Sequence, residues 1–178
     1  MMDFPTIGGL PAHPLIVHAV VVLVPLAALL VAASALSTRF RHWSRYATPL
    51  VALVGLVMVP LASQSGEGLE RSVPHSALIE QHAELADSLL PLMVAVTVVA
   101  FLQLWMDRRS VGRATDDESP RRGPLRQPVV GVAVMVLALL VSAGTLVQVG
   151  RIGHSGAKAA WNDVKVSSGG EESGAPRP

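Results

Sequence analysis

The sequence points to an all-α protein: an integral membrane four-helix bundle in up-down order, with both termini outside the cytoplasm. Three observations carry this. Of 178 residues, 51% are hydrophobic and 15% charged, with a mean hydropathy of +0.48, where soluble domains carry about 25% charged residues. The apolar residues fall into four long blocks. Between the blocks, basic residues are dense in the first and third connections and sparse in the second. This composition excludes an ordinary soluble enzyme. The absence of Cys excludes a disulfide scaffold and thiol chemistry. A net charge of +1 gives no reason to expect nucleic acid as a partner.

A spanning helix needs about 20 mostly apolar residues to cross a core about 30 Å thick. Residues 15–36 supply the first, interrupted by His18, Pro25 and Ser34; residues 46–63, with Pro49 and Pro60, supply the second and shortest. The third is expected over 88–106 and the fourth over 129–149, which contains no charge. Helices satisfy their own backbone groups in lipid, so blocks of this length read as helices. Pro74 suits a first helical turn, and the spacing predicts an outer extension of the third helix over 74–87. Residues 111–127 read as a solvated inner loop. The four-helix domain is expected over 1–165, with a disordered tail over 166–178, too polar to bury a core.

The first block is not expected to be a secretory signal. Ala33-Ser34-Ala35 looks like a cleavage site, but residues 1–14 contain Asp3 and no Lys or Arg. Orientation follows from basic loops remaining cytoplasmic. Arg39, Arg41 and Arg45 follow the first span, and Arg108, Arg109, Arg113, Arg121, Arg122 and Arg126 follow the third. The middle connection has only Arg71 against Glu67, Glu70, Glu80, Glu84 and Asp87. Trp43, Tyr46 and Trp105 are expected at the inner interface, where amphipathic rings are favoured.

Five of the six histidines fall on the opposite, outer side. His13 and His18 start the first helix, His75 and His82 lie in the extension, and His154 follows the fourth span; His42 alone is inner. His75 and His82 are two turns apart and share the inward stripe. His13 is expected to cap the first helix, placing His18 about one turn inside, where an ionisable group is a functional candidate. Neutral imidazole is the commonest metal ligand, and bundle sites are assembled from facing helices. Gly66 and Gly68 flank Glu67, and Gly150, Gly153 and Gly156 recur around His154; such small residues admit a close helix or a flat ligand. Glu67 is a further candidate ligand.

The run His13-Pro14, Val17-His18, then Ser65-Gly66-Glu67, His82, and Gly153-His154-Ser155-Gly156 resembles a bacterial membrane family filed as domain of unknown function 2231. The resemblance covers roughly residues 10–160 and implies four spans in the bacterial inner membrane, with no assigned activity. Relatives joined to Rieske or cytochrome c modules imply an electron-transfer setting. With no Cys and no such module beside the spans, any redox partner is expected to be a separate protein.

The leading expectation is a redox cofactor at the outer face, most simply a b-type haem between two axial imidazoles. His18 and His82 form the expected pair, with His154 as substitute. The alternative is a bare Cu, Zn or Fe ion held by three or more histidines, drawing on His13, His75 and Glu67 as secondary ligands. A third is a cofactor-free structural or assembly subunit. No H-E-x-x-H motif suggests a hydrolase, so electron transfer or metal binding is favoured over stand-alone enzyme activity. With no charge at mid-membrane, a transporter is not favoured.

Overall fold

The computed structural model describes residues 6–7, 10–70, 76–115 and 126–161. The helices are α1 (Ala12–Leu36), α2 (Thr38–Trp43), α3 (Ala47–Glu70), α4 (Ala77–Asp87), α5 (Leu89–Thr115) and α6 (Arg126–Trp161). Ahead of α1, the two-residue strands β1 (Thr6–Ile7) and β2 (Leu10–Pro11) pair antiparallel. Four helical stretches are long and apolar enough to cross a membrane: His13–Leu36, Ala47–Gly68, Ala77–Arg109 and Val129–Trp161.

The helices extend past the expected spans. α3 continues from Ser63 to Glu70, and α6 passes Val149 to reach Trp161. Polar and glycine residues there stay helical because intrahelical bonding persists once the chain leaves lipid. Thus Gly150, Gly153 and Gly156 lie inside a helix and do not end one. The expected inner loop is shorter than 111–127, since both ends are helical, and residues 116–125 lie outside the described residues. The outer extension is a separate helix. Ser76 caps α4, its Oγ accepting from Leu78 N–H at 3.3 Å, and a turn at Ser88 divides α4 from α5. Pro74 and the tail over 166–178 lie outside the described residues. Pro49 falls in the first turn of α3, where its missing N–H costs nothing.

The four long helices close a ring: α1 packs on α3 and α6, and α5 packs on α3 and α6. Neighbours run antiparallel. His13 at the start of α1 meets Ser65 near the end of α3, and Gln103 late in α5 donates to the Val31 carbonyl late in α1 at 3.2 Å. The interior is built from small and β-branched side chains, with Val20, Val24, Ala27 and Val31 spaced to one face of α1. Met93 and Val96 of α5, Ala52 and Val59 of α3 and Ala138 of α6 complete it. Val22, Leu29, Leu50, Val57, Val98, Leu140 and Val147 are exposed, as expected of side chains that meet acyl chains. Narrow residues inside and large ones outside allow close backbone approach, which drives helix association in lipid.

Candidate paired-imidazole site

At one end of the bundle, two histidines from different helices are seated in the same manner. His13 on α1 reaches Ser65 on α3, with Nδ1 and Oγ 2.8 Å apart. His82 on α4 reaches Ser155 on α6, at 3.0 Å. Each serine hydroxyl also lies 2.9 Å from a carbonyl one turn back, Ala62 for Ser65 and Ile152 for Ser155. A hydroxyl has one proton. That proton goes to the carbonyl, which can only accept, so the oxygen accepts from the imidazole. Both rings are therefore fixed as donors at Nδ1, and the neutral ring keeps its lone pair on Nε2. Neither Nε2 makes a hydrogen bond among the described residues.

Each serine is followed by a glycine that holds the ring close. A β-carbon at Gly66 would lie 3.3 Å from His13 Cε1. One at Gly156 would lie 3.0 Å from His82 Cε1 and 3.6 Å from its Nε2. The two half-sites lie at the same end of the bundle, where α3 and α4 are in contact. A clamp from α6 supports α4: Gln148 Nε2 donates to the Leu85 carbonyl at 3.1 Å and to Ser88 Oγ at 2.5 Å. Both imidazoles are half-buried.

The other candidates lie elsewhere. α1 begins at Ala12, so His13 is within the first turn and does not cap it. His18 is exposed, its Nδ1 donating to the Pro14 carbonyl of its own helix at 2.6 Å. Five residues separate it from His13, which turns it about 140° around the helix. His154 is exposed beside Ser155, and Glu67 is exposed beside Gly66. His75 lies outside the described residues. Among the described residues, no group of three or more His, Asp or Glu side chains could hold a metal ion. Sequence reasoning missed Ser65 and Ser155 as the seats. The available signal was the dipeptide Ser-Gly, present at the same end of the second and fourth long helices.

The opposite end carries a buried polar cluster that the sequence reading also missed. Arg41 Nε pairs with Asp107 Oδ1 at 2.8 Å, and the Asp107 side chain is only 3% exposed. His42 Nδ1 lies 3.6 Å from Asp107 Oδ2. The hydroxyls of Ser34, Ser44 and Thr48 form a hydrogen-bonded triangle beneath the pair. Ser34 inside an apolar block and Asp107 beside Arg108-Arg109 were the signals.

Four membrane-length apolar helices around a narrow interior, with two serine-seated imidazoles at one end, define a small polytopic helical membrane protein. A family model described as "Predicted membrane protein (DUF2231)" matches residues 9–168. The chain belongs to that family. No curated protein and no solved structure matches it.

Proposed function

We propose that His13 and His82 would hold a b-type haem at the histidine end of the bundle, and that the protein carries electrons there. The observation that carries this reading is the matched pair of Nδ1–H···Oγ bonds. Ligating histidines characteristically donate their other ring N–H to a protein acceptor, which fixes tautomer and ring orientation. Two rings with lone pairs on Nε2 would serve to hold a haem iron, and Gly156 leaves the flank of His82 Nε2 without a side chain. Two imidazoles, with no third ligating side chain grouped beside them among the described residues, favour haem over a bare ion. When bound, haem supplies one-electron redox chemistry; the chain's part is to hold, orient and desolvate it.

His82 is retained from the expected pair, and His13 takes the place of His18 and His154, which lack serine seats. Arg39, Arg41, Arg45, Arg108 and Arg109 lie toward the far end, which supports placing the histidine end on the extracytoplasmic side of a bacterial inner membrane. A separate redox protein is the proposed partner.

Detergent-purified protein from haem-sufficient cells is expected to show a Soret band that His13→Ala and His82→Ala each abolish. His18→Ala and His154→Ala are expected to retain it. Colourless protein would overturn the proposal. Stoichiometric metal without porphyrin absorbance would then favour a bare ion, and neither would favour a cofactor-free subunit.

A further inference from the structure

At the arginine end, Tyr46 stands in the turn between α2 and α3 and is 58% exposed. Two guanidiniums gather on its ring. The Arg45 carbon lies 4.9 Å from the ring centroid and that of Arg108, from α5, lies 5.9 Å away. The two cations are therefore within about 11 Å of each other, a separation over which like charges repel appreciably once water is partly excluded. Among the described residues, Asp107 is the acid ion-paired at this end, and it is engaged by Arg41 and His42. Arg45 Nε is buried and has no hydrogen-bond partner. A buried charged donor without an acceptor costs more than an ordinary lost hydrogen bond.

An anion offsets the repulsion between the two cations, and guanidiniums bind phosphate oxygens with two parallel hydrogen bonds. The flanks say which phosphate. Tyr46 just ahead of α3 and Leu50, Leu53 and Val57 within it recur at helical spacing, and Phe101, Trp105 and Arg108 do so on α5; the apolar members of both rows are exposed. α3 and α5 pack side by side, so the rows lead away from the arginines as an apolar track. Tyrosine and tryptophan at such a position mark headgroup depth.

We infer that Arg45, Tyr46 and Arg108 form a seat for the phosphate of an anionic phospholipid in the leaflet at the arginine end. Both guanidiniums grip the phosphodiester oxygens, the Tyr46 ring holds the guanidiniums in place, and the acyl chains lie along the apolar track. This seat is independent of the histidine site.

Native mass spectrometry of the full chain, released from micelles doped with phosphatidylglycerol or phosphatidylcholine, tests it. One phosphatidylglycerol is expected to be held in preference to phosphatidylcholine. Arg45→Gln with Arg108→Gln is expected to weaken that retention at least roughly tenfold, as loss of charge-assisted hydrogen bonds implies. The Arg45→Lys, Arg108→Lys pair keeps the charge without the planar fork and is expected to fall between. Arg39→Gln, an exposed cation outside the cluster, is expected to retain the lipid. Should the double variant not fold, Arg108→Gln alone, at an exposed position, is expected to weaken retention. Unchanged retention in the Arg45 and Arg108 variants would overturn the inference, as would equal holding of the two lipids. Full displacement by millimolar inorganic phosphate would also overturn it, identifying a plain anion site.

Discussion

At the scale of single residues, the serines and glycines carry the site as much as the histidines do. Ser65→Ala and Ser155→Ala leave the two Nε2 atoms, the proposed ligands, in place but release the tautomer and the ring. Each is expected to lower haem affinity about 10- to 100-fold, as loss of an outer-shell partner does, checked by titrating haem into apoprotein. Gly156 and Gly153 make a controlled pair. Glycine inside a helix costs about 1 kcal/mol relative to alanine, and a β-carbon at Gly153 meets nothing within 4 Å. Gly153→Ala is expected to raise the melting temperature, whereas Gly156→Ala pushes on the His82 ring and is expected to disturb the Soret band. The histidines were legible in the sequence because they cluster at one end of the apolar blocks. Which of them find a serine seat was not, because that depends on helix rotation: His18 and His154 have the right residue type at the right end but are exposed.

At the scale of elements, the spans were legible and their ends were not. Hydropathy registers lipid contact, but α3 and α6 remain helical well beyond it, and the added turns carry Ser65 and Ser155. The short α2 is held by the buried Arg41–Asp107 pair, which ties the first connection to the end of α5. Removing one member of a fully buried pair costs about 3–5 kcal/mol, and less here because water reaches Arg41, which is 27% exposed. Asp107→Asn is therefore expected to lower thermal stability in detergent. Replacing Arg41 and Asp107 together by apolar residues of similar volume is expected to cost much less. Equal losses in the two variants would rule out the pairing as the source of the stability.

At the scale of the whole molecule, the alternation of basic connections predicts an orientation, and the ring of antiparallel helices separates a histidine end from an arginine end. The chain has no cysteine, so single introduced thiols report on sidedness without background. Glu84→Cys, exposed on α4, is expected to react with a membrane-impermeant maleimide in intact cells. Arg39→Cys is expected to react only after permeabilisation; the reverse pattern would invert the topology. The four-helix count was legible from block lengths alone, since each apolar block is long enough to cross the membrane core.

The hydrogen bonds that seat the imidazoles both close within one half of the chain. His13 and Ser65 belong to the α1–α3 hairpin, with 52 positions between them, and His82 and Ser155 to the part from α4 to α6, 73 apart. Each half is thus expected to fasten its own ring, leaving the docking of the halves as the remaining step. Residues 1–70 and 76–178, translated from separate messages in one cell, are expected to find each other and, if the proposed haem is bound, to restore its absorbance.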